Sequence, residues 1–102
     1  MKKELEEILY QRYPELFAER TLSPEETAMC RGMVCGDGWF DLIDTLCCTI
    51  QQGIEHGDTP PVRVTQVKEK FGTLRFRIRG CNEWVRGVLE MACAVSALIP
   101  DE

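Results

Sequence analysis

The chain has 102 residues, of which 44% are hydrophobic and 28% charged, and its formal net charge is −5 at pH 7. A chain of this size supports one hydrophobic core, and its apolar content excludes intrinsic disorder. We therefore expect a single folded domain over residues 1–102.

The sequence contains no segment that approaches the roughly 20 apolar residues of a membrane span. Its first residues, MKKELEEILYQRYPELF, alternate charged and apolar side chains, which is not the pattern of a signal peptide. We expect a cytoplasmic protein with no membrane partner. In that reducing compartment the six cysteines are interpreted as free thiols, metal ligands or reactive residues rather than as disulfides.

The first part of the chain predicts two helices. Residues 3–13 place Leu5, Ile8 and Leu9 at helical spacing among charged side chains, which is typical of an amphipathic helix. The stretch SPEE at residues 23–26 is a helix-start signal, because its serine can cap, its proline fits the first helical position and its second glutamate completes a capping box. It predicts a short helix over residues 23–29.

The longest predicted helix spans residues 38–54, and Asp37 is its predicted N-cap. Its apolar residues recur at helical intervals: Trp39, Ile43, Leu46, Cys47, Ile50 and Ile54. A loop rich in glycine and proline, GDTPP at residues 57–61, follows it.

The hydrophobic period then changes to that of β-strands. Residues 62–67 and 73–79 predict two strands joined by a turn at residues 70–72. The second strand alternates cleanly, with Leu74, Phe76 and Ile78 on one side and arginines on the other. The first strand has valines at both parities, which predicts a bulge or a second covered face.

A final helix begins at Asn82 and Glu83 and ends before Pro100. Its apolar stripe consists of Trp84, Val88, Met91, Ala92, Val95 and Leu98. The predicted fold is therefore α+β: a single domain with three main helices and one short helix packed on a two-stranded antiparallel hairpin, in the order α-α-α-β-β-α.

Two stretches, CGDGWFDLIDTLC at residues 35–47 and QVKEKFGTLRF at residues 66–76, stand out together with RYPELF at residues 12–17. In these stretches the sequence resembles a group of small, uncharacterised phage and prophage proteins that share a RYP-x-LF start, a CGDGW helix opening and a QVKEKFG-x-LRF hairpin. The match spans most of the chain. The resemblance implies a phage-derived, cytoplasmic protein, and it implies no activity and no active-site residues.

Many relatives in that group continue past the final helix into a C-x-x-C-G tail that suggests zinc, whereas this sequence has Cys93 in that helix and no tail pair. A structural zinc site needs four Cys or His ligands, usually in two close pairs. Cys30 and Cys35 are spaced as one pair, and their part in a metal site stays open, but Cys47 and Cys48 are adjacent and do not supply a second pair. We expect no metal, no cofactor and buried thiols that pack as small hydrophobic groups.

Catalysis by a cysteine normally requires a nearby base. Cys35 precedes the long helix and the only histidine, His56, follows it, so the helix separates the two residues by about 25 Å at 1.5 Å per residue. Three carboxylates, Asp37, Asp41 and Asp44, lack the ligand spacing of a calcium loop. We therefore predict that the protein is not an enzyme.

The strongest signal is electrostatic. Residues 63–79 contain six basic side chains and one acidic side chain, a local charge of +5, so the rest of the chain carries −10. We identify this hairpin as the candidate binding site, with an aromatic residue at its turn. The site residues are Arg63, Lys68, Lys70, Phe71, Arg75, Arg77 and Arg79.

A basic strand face can contact an acidic protein surface or nucleic-acid phosphates. Alternatively, the acidic helices engage a basic surface that normally receives nucleic acid. In a purely structural role, the charges keep strand edges from aggregating or pair with the protein's own helices.

The expected function is that of a small, non-enzymatic, phage-derived protein that binds a host or phage protein or a nucleoprotein complex. An inhibitor of a bacterial defence complex such as CRISPR-Cas is its concrete version. The alternatives are a nucleic-acid-binding module that uses the arginine strand, which the net charge of −5 disfavours, and a zinc-binding structural protein. A homodimer through an open hairpin edge is a further expectation.

Overall fold

The computed structural model describes residues 1–102. Its helices are α1 (Lys3–Arg12), α2 (Phe40–His56) and α3 (Glu83–Ser96), and its strands are β1 (Met33–Val34), β2 (Arg63–Lys70) and β3 (Thr73–Arg79). Short 3-10 turns occur at Ala18–Thr21, Met29–Arg31 and Asp37–Trp39. The three long helices lie where the hydrophobic periodicity predicts them. None of them combines the length and apolar character that a membrane crossing requires.

The sheet has three strands in the order β1-β2-β3, so the predicted two-stranded hairpin is wrong as a description of the fold. β2 and β3 form the predicted antiparallel pair, and β1 pairs with β2 in parallel, with Met33 opposite Val67 and Val34 opposite Lys68. A strand of two residues is too short to show an alternating pattern. Only its contact with β2 therefore reveals β1.

The central strand β2 contains the predicted bulge, which lies between Val64 and Gln66. β1 covers β2 on the side away from β3, and the Val64 amide donates a hydrogen bond to the Leu16 carbonyl (2.7 Å). The sheet therefore has the two-residue strand β1 at one edge and β3 at the other. The Leu74 amide on that strand already donates to Ser96 Oγ at the end of α3 (2.8 Å).

The predicted short helix over residues 23–29 is also wrong. A single turn forms, in which the Ser23 carbonyl accepts a hydrogen bond from the Thr27 amide (3.1 Å). The Thr27 hydroxyl then donates to the Thr65 carbonyl on β2 (3.2 Å) and accepts from the Met29 amide (3.2 Å). These bonds compete with helix propagation, so the segment follows the sheet instead.

The hydrophobic core lies between the sheet and the helices. From the sheet, Val64, Val67 and Leu74 are no more than 2% exposed. The Trp39 ring, at the start of α2, is buried, and its Nε1 donates a hydrogen bond to the Ile99 carbonyl (2.6 Å). The segment after α3 is thereby tied to the beginning of α2.

The apolar stripe of α3 lies only partly in this core. Val85 and Ala92 are buried, whereas the Met91 side chain is 67% exposed and Leu98 is 82% exposed. The helix begins as predicted, because Asn82 Oδ1 accepts a hydrogen bond from the Val85 amide (3.0 Å). An apolar surface of α3 is consequently left uncovered by the fold.

Candidate functional site

The predicted site residues divide into two groups along the hairpin. Lys68, Lys70, Phe71 and Arg75 lie near the turn, and Arg77 lies midway along β3, opposite Gln66. We call these five residues the hairpin tip. At the other end, Arg63 and Arg79 lie directly opposite each other on β2 and β3. A strand rise of about 3.3 Å per residue places Arg63 roughly 16 Å from Lys68. The structure therefore brings four of the seven predicted residues together near the turn, and Arg77 lies between them and Arg79.

Arg79, at the far end, is engaged within the protein. Its Nε donates to Glu19 Oε2 (2.8 Å) and its Nη2 donates to the Glu26 carbonyl (2.6 Å). Glu19 is only 8% exposed, so this ion pair is partly desolvated and each charge depends on the other. The carboxylate also offsets the repulsion between Arg79 and the opposed Arg63.

At the hairpin tip, two basic side chains lie opposite each other, and no ion pair offsets the repulsion between them. Lys68 lies directly opposite Arg75, and the ion pairs of the protein involve neither of them. Nε of Arg75 is buried and has no hydrogen-bond partner. Opposed like charges destabilise a strand pair, and an unpaired buried donor costs about 1–3 kcal/mol. The carboxylate of Glu69 also lies at the tip, where its Oε2 accepts a hydrogen bond from the Gly72 amide (2.7 Å). The tip therefore holds several positive charges that no ion pair within the protein neutralises.

Phe71 occupies the turn in an unusual backbone conformation. Its φ is 55° and that of Gly72 is 80°, which is the left-handed pair of a type I′ hairpin turn. Asn or Asp suits the first of these positions, whereas a bulky side chain is strained there. The Phe71 side chain is also 86% exposed to solvent. Both the backbone conformation of Phe71 and the exposure of its ring to water are therefore unfavourable in the isolated protein.

Two residues that sequence reasoning missed lie beside the hairpin tip. Arg86 and Glu90 of α3 line a groove of about 280 Å³ along β3, together with Arg75 and Arg77. Arg86 adds a third guanidinium group to this groove. No spacing in the sequence relates α3 to β3, so the groove arises only from their packing.

The cysteines are dispersed through the fold. No group of three or more His, Cys, Asp or Glu residues lies close enough to hold a metal ion. Cys30 Sγ donates to the Thr27 carbonyl (3.6 Å). Burial raises the pKa of Cys35 from 9.0 to about 11, which opposes the thiolate character that a helix N-terminus favours. Cys47 is fully buried, as predicted, and burial also raises its pKa. Cys48 and Cys81 are exposed, so the prediction of buried thiols is wrong for these two.

Two of the three carboxylates near the start of α2, Asp37 and Asp44, have partners within the protein. Asp37 is not the N-cap that the sequence predicts, because a 3-10 turn intervenes before α2, and its Oδ1 accepts a hydrogen bond from the Lys2 amide (2.8 Å). Asp44 accepts a hydrogen bond from the Tyr13 hydroxyl (2.6 Å) and pairs with Arg12 (2.9 Å). Burial and the bond to Asp44 raise the pKa of Tyr13.

The CGDGW stretch has a structural explanation. The amides of Gly36 and Gly38 donate to Asp101, at its side-chain Oδ2 (2.8 Å) and its carbonyl (2.7 Å) respectively. A Cβ on Gly36 would lie 1.9 Å from the Asp101 carbonyl oxygen. These glycines make room for the backbone that follows α3, so the stretch closes the fold.

No protein-family model, curated protein or solved structure matches this chain. The resemblance to phage and prophage proteins therefore stays a prediction, and the functional argument rests on the geometry of the hairpin tip.

Proposed function

We propose that the protein is a non-enzymatic binding protein that docks its hairpin tip onto an acidic surface of a partner protein or nucleoprotein complex. Phe71 is the apolar anchor in this proposal, and Lys68, Lys70, Arg75 and Arg77 supply the surrounding charge. Aromatic residues and arginine are the side chains that most often dominate the energy of protein interfaces.

The observation that carries the proposal is the strained and exposed position of Phe71. Its φ of 55° and its 86% exposure both disfavour a phenylalanine there, and backbone strain of this kind collects at ligand-contacting sites. Burial of the ring against a partner would remove the solvation cost. The strain would then serve to hold the ring at the tip of the hairpin.

The charge distribution supports the same surface. Glu19 offsets the arginine pair at the far end of the hairpin, whereas no carboxylate pairs with Lys68 or Arg75 at the tip. An acidic partner surface would supply the missing opposite charge. Electrostatic complementarity of this kind chiefly raises the association rate and the specificity of a complex.

The concrete version of the proposal is a phage-derived inhibitor of a bacterial defence complex such as CRISPR-Cas, acting in the cytoplasm of the host. Its support is the sequence resemblance to phage and prophage proteins together with the small size and net charge of −5. A phage-plaquing assay tests it: expression of the protein in a strain with active CRISPR-Cas immunity should restore plaques of the targeted phage.

The deciding variant is Phe71→Asn. Asparagine tolerates the left-handed conformation, so we expect the free energy of unfolding to rise by about 0.5–1 kcal/mol. Binding should fall at the same time, because the apolar anchor is gone. Urea unfolding measures the first effect, and co-purification of a partner from host extract, with plaquing, measures the second.

Leu22→Asn is the matched control, since Leu22 is an exposed apolar residue (40%) outside the hairpin. It should leave partner recovery and plaquing unchanged. If Phe71→Asn retains both activities, or if it destabilises the protein and lowers them only in proportion, the hairpin tip is not the docking surface.

A nucleic-acid-binding module is the second candidate, and the exposed ring beside cations favours it, because bases stack on such side chains. The acidic remainder of the molecule opposes it. Filter binding of single-stranded and duplex DNA over a salt series separates the candidates. A steep loss of affinity with salt that Arg77→Glu abolishes and Lys3→Glu does not would support the module, and no binding at low salt would remove it.

A further inference from the structure

A second surface, separate from the hairpin tip, is an apolar groove between α2 and α3. Its volume is about 560 Å³, twice that of the groove along β3. The two helices are antiparallel here, because Trp84 at the start of α3 packs on Gly53 near the end of α2. The groove is lined by Leu42, Thr45, Leu46 and Thr49 of α2 and by Trp84, Gly87, Val88, Met91, Ala92 and Val95 of α3.

The α3 side of the groove has the spacing of a helix-pairing seam. Its residues Trp84, Val88, Met91 and Val95 follow one another at intervals of four, three and four. That heptad-like interval is the one at which a helix presents apolar side chains to a second helix. Nothing in the protein covers the seam at Met91, which is 67% exposed, and Leu98, in the turn after α3, is 82% exposed.

Local features keep the groove both open and apolar. A Cβ on Gly53 would lie 2.4 Å from the Trp84 ring, so this glycine admits the ring that forms one end of the groove. The Thr49 hydroxyl donates to the Thr45 carbonyl (2.9 Å), so its polar group is satisfied within α2. Gly87 on the lip has no atom within 4 Å of the position of a Cβ, which leaves space for an approaching backbone.

The helices that form the groove are acidic. They carry five carboxylates, Asp41, Asp44, Glu55, Glu83 and Glu90, against a single arginine. Of the charged residues, Asp41, Glu83 and Glu90 each precede a groove residue on the helix and are exposed. The one arginine, Arg86, lines the other groove, along β3, and Glu90 lines that groove as well, so Glu90 lies on the ridge between the two grooves. A second copy of this chain would bring two acidic rims together, whereas a basic partner would be attracted.

We propose that this groove binds a basic amphipathic helix of a partner protein. Residues 84 to 95 of α3 offer a seam of about 16 Å at 1.5 Å per residue, which is about three turns of helix. Apolar residues of the partner at i, i+3, i+4 and i+7 would fill the groove between Trp84 and Val95. Lysines or arginines on either side of that apolar face would lie against Glu83, Glu90 and Asp41.

The test uses two synthetic helical peptides with the same leucine face, one flanked by lysines and the other by glutamates. The lysine peptide should bind saturably by fluorescence anisotropy and should shift the emission of Trp84, whereas Trp39, which is 1% exposed, should not respond. The glutamate peptide should bind at least tenfold more weakly. Sedimentation of the protein alone should show a monomer.

Two variants assign the binding to the groove. Met91→Glu, at a largely exposed position, should leave the fold intact and weaken the lysine peptide at least tenfold, whereas Leu22→Glu outside the groove should not. The double variant Glu83→Lys, Glu90→Lys should reverse the preference between the peptides. Phe71→Asn should bind the lysine peptide normally, which separates this surface from the hairpin tip.

Several results would overturn the proposal. They are an absence of binding by the lysine peptide, equal binding of both peptides, and peptide binding that survives Met91→Glu. A dimer that Met91→Glu dissociates would assign the groove to a second copy of the chain instead. None of these outcomes bears on the hairpin tip, whose proposed function stands or falls with Phe71→Asn.

Discussion

Two glycines inside helices show how the role of a single residue depends on its neighbours. Gly53 in α2 and Gly87 in α3 are equivalent in sequence terms, and each weakens its helix by roughly 0.5–1 kcal/mol relative to alanine. Gly53 is in contact with the Trp84 ring, whereas the space beside Gly87 is empty. At Gly53 the glycine makes room for the Trp84 ring, which explains this loss of helix stability. At Gly87 no contact explains it.

The same substitution should accordingly have opposite effects at these positions. Gly87→Ala should raise the free energy of unfolding by about 0.5–1 kcal/mol, because the added methyl favours the helix and meets no atom. Gly53→Ala should lower it by about 1–3 kcal/mol, because Trp84 must move. Urea unfolding measures both. Equal effects of the two substitutions would contradict the packing of Trp84 on Gly53.

Within one element, the β2–β3 hairpin, the two ends carry charges that serve different purposes. Arg79 is bound by Glu19 and by the Glu26 carbonyl, so it ties β3 to the segment that follows α1. Arg77, two residues away on the same strand, forms no ion pair and faces an open groove. A regular pattern of arginines thus combines a structural contact with side chains free to bind a partner.

Single replacements should separate these roles. Arg79→Gln leaves the buried Glu19 carboxylate without its cation and should lower the free energy of unfolding by about 2–3 kcal/mol. Arg77→Gln should change it by no more than about 0.5 kcal/mol. Thermal or urea unfolding of both variants checks this. If Arg77→Gln proved as destabilising as Arg79→Gln, the hairpin tip would have a structural role.

For the whole molecule, the stability should depend on alkaline pH because several weak acids are buried in their neutral form. Burial raises the pKa of Cys35 to about 11, raises that of Tyr10 to about 12, and raises those of Cys47 and Tyr13 as well. In the unfolded chain these groups lose their protons at lower pH than in the folded protein. The folded state then holds more protons, and stability falls as pH rises.

The two thiols define the interval of pH. Their stabilisation is fully present below about pH 9 and is lost as pH rises toward 11, the folded-state pKa of Cys35. Each retained proton contributes about 1.4 kcal/mol per pH unit to the slope. Urea unfolding across this interval should show a decline that Cys35→Ala and Cys47→Ala each make shallower. A free energy of unfolding that is constant or rises there would contradict the burial of these thiols.

Much of the architecture could be predicted from the sequence, because it depends on local periodicity. The three long helices, the hairpin, its turn at Phe71 and Gly72, the bulge after Val64 and the cap at Asn82 all follow from patterns within a few residues of each other. The concentration of basic residues near the turn could also be predicted, because residues on either side of a tight turn face each other across the hairpin.

Tertiary structure alone decided the features that depend on residues far apart in the chain. The pairing of Met33 with Val67 created a third strand, and contacts with β2 replaced the helix expected after Ser23. Glu19 reached Arg79 but no carboxylate reached Lys68 or Arg75, and the α3 stripe was left facing outward at Met91. Hydrophobic period and turn chemistry act over one or two turns of backbone, whereas burial and charge neutralisation depend on which distant segments meet.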